Sequence, residues 1–315
     1  MNRKAIIFGI KNHILTPKEK IFFKKEKPWG IILFSRNIKS ILQLKKLIKE
    51  IRVLFKDKKY PILIDQEGGK VSRLKNIINY NFYSQGYLGN LYDTNKKLFL
   101  KLYKNHIDKV SSILKKIGIN INTVPVADIR REKSHDIIGT RSFSKKTKDV
   151  SYLSRLCINY YHKNKIATVI KHIPGIGLSK CDSHFKTPII TQSKKMLIKN
   201  DFEPFKNQKS KFAMTGHAIY QSYDSKNTAT HSKVVISKVI RSHIKFRGIL
   251  ISDDISMKAL KYNLERNAIK AFNAGCNLVL HCNGNMKEMN KVIKVIPKID
   301  NFIKKKTSHF YKFLG

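Results

Sequence analysis

The stretch AIIFGIKNHILTPKEKIFFKKEKPWGIILF, residues 5–34, contains one complete strand–helix–strand unit. Its two ends, residues 5–10 and 30–34, are short and continuously apolar, which is typical of parallel strands covered on both faces. Between them, Thr16 is a capping residue, Pro17 occupies the first helical position, and Glu19 is placed to return a hydrogen bond. The stretch therefore predicts two parallel strands joined by a helix.

The same pattern recurs along the rest of the chain. Six further apolar runs are each followed by a polar turn and a stretch with helical spacing: residues 61–64, 119–126, 166–170, 212–215, 248–251 and 277–280. Such alternation implies a parallel sheet, either open and doubly wound or closed into a barrel. Eight repeats in 315 residues favour the barrel, and no G-x-G-x-x-G sequence follows the first strand. Because no linker or composition break is visible, we predict an α/β fold with one (β/α)8 TIM-barrel domain over residues 1–315.

The chain is strongly basic, with 64 Lys and Arg against 21 Asp and Glu and a formal charge of +43. Its 42% hydrophobic content is sufficient for a core and excludes wholesale disorder. Such a charge could attract nucleic acid, an anionic membrane surface or an acidic substrate. However, Lys, Ile and Asn, which have AT-rich codons, are abundant everywhere rather than gathered in one block. Biased composition explains the charge better than a polyanion partner, so nucleic acid is not expected.

Several features bear on location and on metal binding. No apolar run approaches the roughly 18–20 residues of a membrane span, and residues 5–10 are too few for a signal-peptide core. The four cysteines form no C-x-x-C pair, so neither a disulfide framework nor a zinc site is indicated: Cys157, Cys181, Cys276 and Cys282. We therefore expect a cytoplasmic protein without a metal site.

Ionisable residues recur at the ends of the predicted strands, where a barrel of this kind carries its active site. They are Asp65, Asp128, Lys171, His172, His217, Asp253 and Asp254. Any single Asp after a strand is often only a cap or turn former. Their recurrence at equivalent positions indicates a polar, polyhydroxylated or anionic small ligand.

Two of these strand ends continue into loops that contain glycine. The sequences IDQEGG, residues 64–69, and KHIPGIG, residues 171–177, allow the backbone to come close to a ligand, and neither matches a phosphate-binding P-loop. The second loop leads to Asp182 and His184, an Asp-x-His pair. A neighbouring carboxylate can hold an imidazole in one tautomer, which suits general acid/base catalysis.

Taken together, these segments resemble the family 3 glycoside hydrolases. The DQEGG, KHIPG with DSH, and SDDISM elements are jointly very specific, and the matching stretches follow the family's order over nearly the whole chain. They are WGIILFSRNI (29–38), ILIDQEGGKVSRL (62–74), VPVADI (124–129), IGTRSF (138–143), KHIPGIGLSKCDSHFKTP (171–188), MTGHAIY (214–220), GILISDDISM (248–257) and AGCNLVLHC (274–282).

The resemblance implies roles for individual residues. Asp253 matches the family's nucleophile, which forms a covalent glycosyl-enzyme and gives net retention of configuration. His184 matches the acid/base, a histidine where most glycosidases use a second carboxylate, and Asp182 matches the residue that orients and tunes it. The positions that bind the N-acetylglucosamine ring are matched by Asp65, Arg73, Arg141, Lys171 and His172.

The sequence also departs from the family's common pattern. Lys70 stands where relatives often have Arg, and Ile176 occupies the middle of a motif that is often GHG, which puts loop packing in doubt more than chemistry. We expect Asp128 and His217 to support the barrel rim. Because the DSH element is intact, Glu67 is not expected to be a second catalytic carboxylate.

The resemblance implies an exo-β-N-acetylglucosaminidase, that is, a β-N-acetylhexosaminidase. It would cleave terminal N-acetylglucosamine (GlcNAc) from peptidoglycan muropeptides of the GlcNAc-anhydroMurNAc type during cell-wall recycling, with no metal or organic cofactor. A β-glucosidase or a phosphorylase of the same family is an alternative, because the motifs do not specify the acceptor. A non-catalytic polyanion-binding barrel is a more distant one. The sequence leaves the oligomeric state open.

Overall fold

A computed structural model describes residues 2–132 and 135–315 of the chain. Within them, eight parallel strands form a closed barrel in the order β1-β2-β3-β4-β5-β6-β7-β8, and β8 pairs with β1 through Val279 and Ile6. Each predicted apolar run overlaps one strand, so the predicted (β/α)8 barrel is confirmed. The strands are β1 Lys4–Gly9, β2 Pro28–Leu33, β3 Ile62–Ile64, β4 Ile121–Asn122, β5 Ala167–Ile173, β6 Phe212–Thr215, β7 Ile249–Asp254 and β8 Leu278–His281.

Helices surround the barrel, and the first begins as its sequence predicts. The Thr16 hydroxyl accepts a hydrogen bond from the Glu19 backbone N–H at 3.2 Å, and the Glu19 carboxylate accepts one from the Thr16 N–H at 2.8 Å. The α-helices are α1 Pro17–Glu26, α2 Ile41–Leu54, α3 Gln85–Thr94, α4 Lys96–Ile117, α5 Thr147–Lys163, α6 Lys194–Lys199, α7 Leu264–Ala274, α8 Met286–Val292 and α9 Asn301–Leu314.

Shorter elements complete the connections between barrel strands. A π-helix spans Val235–His243, and 3-10 turns span Ser35–Asn37, Gly139–Arg141, Glu203–Phe205, Ala229–His231 and Ile293–Val295. Two small strand pairs, Gln66–Gly68 with Val71–Ser72 and Ile189–Ile190 with Ile219–Tyr220, lie outside the barrel. The first pair is a hairpin directly after β3.

The core fills the barrel and the space between strands and helices, and α9 packs against its N-terminal end. Trp29 and Phe212 lie near the starts of β2 and β6, with ring centroids 5.6 Å apart, and Phe310 of α9 lies 5.5 Å from Phe212. The Trp29 indole N–H donates to the Thr307 hydroxyl at 2.9 Å. This end of the barrel is therefore closed by aromatic packing, which leaves the opposite end for a site.

The C-terminal ends of the strands bring the predicted polar residues to one rim. Asp65 directly follows β3, and Asp253 is the penultimate residue of β7. The sequence placed Lys171 and His172 just beyond a strand, but β5 extends through Ile173 and includes both. The pairing of β5 with β6 shifts register between Lys171 and Ile173, so the two residues lie in an irregular end of the strand.

Every helix in the described parts of the chain is too short or too polar to cross a lipid bilayer.

Candidate active site

A cavity of about 130 Å³ lies at the C-terminal rim of the barrel. Among the residues that line it are seven that the sequence analysis selected: Asp65, Arg73, Arg141, Lys171, His172, His184 and Asp253. The eighth, Asp182, contacts His184. The residues come from separate strands and loops, so the barrel brings together what the sequence spreads over nearly 190 positions.

The two acids at the end of β7 have different surroundings. Asp253 lines the cavity, and its carboxylate accepts a hydrogen bond from the Asp254 backbone N–H at 2.8 Å. Asp254 instead closes a turn, because its carboxylate accepts from the Ser256 N–H at 3.0 Å and from the Ser256 hydroxyl at 2.8 Å. Of this pair, only Asp253 lines the cavity.

His217 supports the end of this strand from outside the cavity. Its Nε2 donates to the Asp254 carbonyl at 2.9 Å, and its Nδ1 lies 2.7 Å from the Thr230 hydroxyl. Burial lowers the pKa of His217, which keeps the imidazole neutral at neutral pH. A neutral ring allows Nδ1 to accept from the hydroxyl while Nε2 donates to the carbonyl.

Asp182 and His184 form a hydrogen-bonded pair at the cavity mouth. Nδ1 of His184 lies 2.8 Å from Oδ1 of Asp182, and the His184 backbone N–H donates to the same oxygen at 2.8 Å. Because an ionised carboxylate only accepts, the Nδ1 position carries the proton and Nε2 is the nitrogen available for exchange. The His184 side chain is 62% exposed, so this nitrogen is accessible to a ligand in the cavity.

Asp65 is held by three partners at the base of the cavity. Its carboxylate accepts from Arg73 at 3.3 Å, from the Lys171 ammonium at 3.2 Å and from the Thr123 hydroxyl. Burial alone would raise the pKa of Asp65, but the charges of Lys171 and Arg73 outweigh it and hold the pKa far below its usual range. Asp65 is therefore a fixed anion whose oxygens can accept hydrogen bonds.

His172 is oriented by Asp128, which lies outside the cavity. The Asp128 carboxylate accepts from His172 Nδ1 at 2.7 Å and from the His172 backbone N–H at 3.1 Å. Its second oxygen accepts from the Ile176 N–H at 2.7 Å. Asp128 thus fixes both the imidazole and the start of the loop that leads to His184.

Two cavity contacts were missed by the sequence analysis. Glu67, which was set aside as a catalytic carboxylate, lines the cavity and contacts both Arg141 and Lys171. Thr123, which follows β4, donates its hydroxyl to Asp65 and lies 3.0 Å from the Lys171 ammonium. The DQEGG motif could have directed attention to Glu67, whereas Thr123 belongs to none of the matched segments.

The glycines of the two rim loops meet protein backbone. Gly68 has φ of +90°, and a Cβ there would lie 2.2 Å from the Tyr83 carbonyl oxygen. At Gly175, with φ of +125°, a Cβ would lie 2.5 Å from the Asp201 carbonyl oxygen. Neither glycine lines the cavity, so their role is close packing of the loops and not the approach to a ligand that the sequence suggested.

The two departures from the family pattern are accommodated separately. Ile176 is buried and lines the cavity, where its side chain occupies the space beside Gly216. Lys70 pairs with Asp136 on the exposed side of the hairpin, away from the cavity. Neither position alters the contacts of Asp182, His184 or Asp253.

Among residues 2–132 and 135–315, no group of three or more His, Cys, Asp and Glu side chains is arranged to hold a metal ion. All four cysteines are unpaired thiols.

The barrel and its rim define a class of protein: a (β/α)8 barrel with carboxylates, imidazoles and basic side chains gathered around one cavity at the C-terminal ends of its strands. The chain belongs to glycosyl hydrolase family 3, whose N-terminal domain model matches residues 16–308. The family expected from the sequence motifs is therefore confirmed.

Relatives with similar sequences cover most of the chain. A protein named Beta-hexosaminidase from Haemophilus influenzae is 30% identical over 94% of this chain and 83% of its own length. A protein of the same name from Nitrosomonas eutropha is 30% identical over 88% of this chain and 80% of its own length.

Solved structures agree with the fold. Native NagZ from Neisseria gonorrhoeae is 26% identical, with a TM-score of 0.87 over 100% of this chain and 90% of that one. The complex of the same NagZ with N-trifluoroacetyl-D-glucosamine superposes with a TM-score of 0.84 over the same shares of the two chains.

Proposed function

We propose that this glycoside hydrolase is an exo-acting β-N-acetylglucosaminidase. It removes the non-reducing terminal GlcNAc from muropeptides of the GlcNAc-anhydroMurNAc type during cell-wall recycling in the cytoplasm. The observation that carries the proposal is the presence, around one cavity, of an accessible Asp253 carboxylate and a His184 imidazole that Asp182 holds in one tautomer. The names of the relatives, Beta-hexosaminidase and NagZ, support the choice of sugar.

In the first step, the Asp253 carboxylate attacks the anomeric carbon as the glycosidic C–O bond breaks. The proton on Nε2 of a protonated His184 passes to the leaving oxygen, so the aglycone departs as a neutral alcohol. The product is a glycosyl ester of Asp253, with inverted configuration at the anomeric carbon.

In the second step, water attacks the same carbon from the vacated side. Nε2 of His184 accepts the water proton, and the Asp253 carboxylate is released. Two inversions give net retention, and His184 returns to its protonated form. Asp182 accepts from Nδ1 in both steps, which keeps Nε2 directed at the reacting oxygen.

The remaining cavity residues bind the sugar ring. Asp65 is an acceptor for sugar hydroxyls, whereas Arg73 and Arg141 are donors to sugar oxygens. Lys171 and His172 are the sugar-binding residues that β5 contributes. Contacts between these residues and sugar groups that take no part in bond cleavage can position the sugar and stabilise an oxocarbenium-like transition state.

Product analysis with a purified muropeptide shows in one experiment which glycosidic bond is cleaved, which sugar is released and whether water or phosphate is the acceptor. Mass spectrometry should detect free GlcNAc and the shortened fragment, with one water consumed, whether or not phosphate is present. Asp253→Ala should lose at least about 1,000-fold in rate. Asp254→Asn is the matched control and should lose less than about tenfold, because Asp254 closes a turn outside the cavity.

Other products would favour the alternatives. A GlcNAc phosphate ester formed only with phosphate indicates a phosphorylase, and glucose release without GlcNAc release indicates a glucosidase. A slow fluorinated substrate should leave its label on Asp253, and a label on Glu67 would contradict the assigned roles. Absence of sugar hydrolysis together with tight polyanion binding at physiological salt would support the non-catalytic alternative.

A further inference from the structure

Glu67 has a carboxylate whose two oxygens are both bound by cations. It lies in the hairpin directly after β3, and its side chain is only 1% exposed. Arg141 Nε donates to Oε2 at 2.8 Å and Arg141 Nη2 to Oε1 at 2.9 Å, which is a two-point guanidinium–carboxylate contact. The Lys171 ammonium lies 2.6 Å from Oε1. One carboxylate thus joins two cations that arise from different parts of the barrel rim.

These contacts make Glu67 unsuited to proton transfer or bond formation. Burial alone would raise the pKa of Glu67, but the adjacent charges of Arg141 and Lys171 lower it to about 2. The carboxyl group is therefore ionised across the neutral range and has no proton to donate. Its two oxygens are also engaged by Arg141 and Lys171, which reduces their reactivity toward an anomeric carbon.

We propose that Glu67 is a positioning residue, which fixes the Arg141 guanidinium and the Lys171 ammonium in the geometry that binds the sugar. This inference rests on the proposed function and extends it, because the sequence motifs assigned Glu67 no role. The two-point contact leaves Arg141 little rotational freedom. Nη1 of Arg141 also donates to the Ile137 carbonyl at 3.2 Å.

Lys171 shows why a fixed anion is needed at this position. Its ammonium contacts Glu67 at 2.6 Å, Thr123 at 3.0 Å and Asp65 at 3.2 Å, and its side chain is 4% exposed. Without Glu67, the Arg141 guanidinium would lose its ion-pair partner, and the Lys171 ammonium would share the Asp65 carboxylate with Arg73. The ammonium and the guanidinium would then move to satisfy their charges, and the sugar-binding geometry would be lost.

The test compares Glu67→Gln with the native protein in sugar binding and in catalysis. Calorimetry with free GlcNAc should show at least a tenfold weaker Kd for Glu67→Gln. With a chromogenic β-N-acetylglucosaminide, KM should rise at least tenfold and by more than kcat falls. Both limbs of the pH–rate profile should stay in place, because Glu67 does not exchange protons. Glu67→Asp keeps the negative charge and should recover part of the affinity.

A double-mutant cycle separates positioning from general destabilisation. In an Arg141→Ala background, Glu67→Gln should raise Kd by a clearly smaller factor than in the native background, because one of the two cations through which Glu67 acts is gone and only Lys171 remains. Glu132→Gln is the matched control: Glu132 forms an exposed pair with Lys145 outside the cavity, so Kd and KM should be unchanged.

Several results would overturn the inference. The first is an unchanged Kd in Glu67→Gln. The second is additive losses of binding free energy for Glu67→Gln and Arg141→Ala in the double-mutant cycle. The third is loss of one limb of the pH–rate profile in Glu67→Gln. If Glu67→Gln does not fold, native affinity in Glu67→Asp would contradict the need for a two-point contact. If the native protein binds GlcNAc but hydrolyses nothing, the proposed function fails while the Kd comparison still decides the role of Glu67. A native protein that does not bind GlcNAc would overturn both.

Discussion

At the scale of single residues, the proposed mechanism depends on which nitrogen of His184 faces the substrate. The contact between Asp182 and His184 Nδ1 leaves Nε2 for proton exchange. The same Asp182 oxygen also accepts from the His184 backbone N–H, so one carboxylate sets both the backbone turn and the ring orientation. Because the imidazole is largely exposed, little else holds it in place.

Removing Asp182 or His184 should therefore cause a large loss of kcat/KM, and the two losses should not be additive. We expect His184→Ala to lower kcat/KM on a chromogenic β-N-acetylglucosaminide by about 100- to 10,000-fold, the usual contribution of general acid/base catalysis. Asp182→Ala should cost about 100-fold, because the ring loses its orientation. The double variant should be no worse than His184→Ala alone, as measured by steady-state kinetics.

Cys181→Ala is the control for this loop. Cys181 precedes Asp182 and makes one weak contact, with the Lys186 carbonyl, so its removal should change kcat/KM by less than about twofold. Independent, multiplicative losses for Asp182→Ala and His184→Ala would show that the two side chains do not act as a pair. Near-native turnover in His184→Ala would remove His184 from the mechanism.

At the scale of elements, α9 determines how one end of the barrel is closed. Phe310 is completely buried and packs on Phe212, which in turn packs on Trp29, and the Thr307 hydroxyl accepts from the indole of Trp29. The contact joins residues 278 positions apart in sequence. The final helix is therefore part of the barrel core and not an appendage to it.

We expect Phe310→Ala to lower the free energy of unfolding by about 3–5 kcal/mol, the usual cost of deleting a buried phenyl group. Activity at 25 °C should stay within about twofold of native, because the substitution lies at the end of the barrel opposite the cavity. Denaturant unfolding and steady-state kinetics measure the two effects. If Phe310→Ala lost activity but kept the native free energy of unfolding, the view that α9 stabilises one end of the barrel while the other end carries the site would be wrong.

Phe302→Ala provides the matched control on the same helix. Phe302 is 39% exposed, so its truncation should cost about 0.5 kcal/mol or less. Equal destabilisation by the two substitutions would show that α9 is not anchored through Phe310.

At the scale of the whole molecule, the charge of +43 does not arise in the rim cavity, whose lining has three Lys and Arg side chains and three Asp and Glu side chains. A basic groove of about 780 Å³ lies between the C-terminal ends of α2 and α4 and is lined by cations such as Lys49, Arg52 and Lys115. Its single carboxylate, Asp57, is already paired with Arg3. In a barrel of this kind the helices end near the starts of the strands, so this groove lies opposite the rim that carries the candidate site.

The net charge should nevertheless affect the encounter with anionic substrates. We expect kcat/KM for a carboxylate-bearing muropeptide to fall about three- to tenfold between 50 and 500 mM NaCl, because salt screens long-range attraction. A neutral chromogenic β-N-acetylglucosaminide is the control, and its kcat/KM should change by less than about twofold. Equal salt dependence for the two substrates would exclude electrostatic steering.

Much of the site could be predicted because its residues lie in motifs attached to strand ends. Asp253 and Asp65 are recognisable from a strand followed by an acid, and Asp182 with His184 from local spacing. Thr123 and Glu67 could not be assigned roles in this way. Their roles depend on contacts with Lys171, which lies 48 and 104 positions away in sequence.

The sequence by itself determined the eight apolar runs, the capped start of the first helix and the family, because these depend on residue type and local spacing. Only the tertiary structure decided which charges are neighbours. It joined Asp65, Glu67, Arg141 and Lys171 into one buried network, assigned Asp253 to the cavity and Asp254 to a turn, and placed α9 across the other end of the barrel. The physical reason is that closing the barrel brings distant strand ends to one rim, where burial strengthens each interaction between charges.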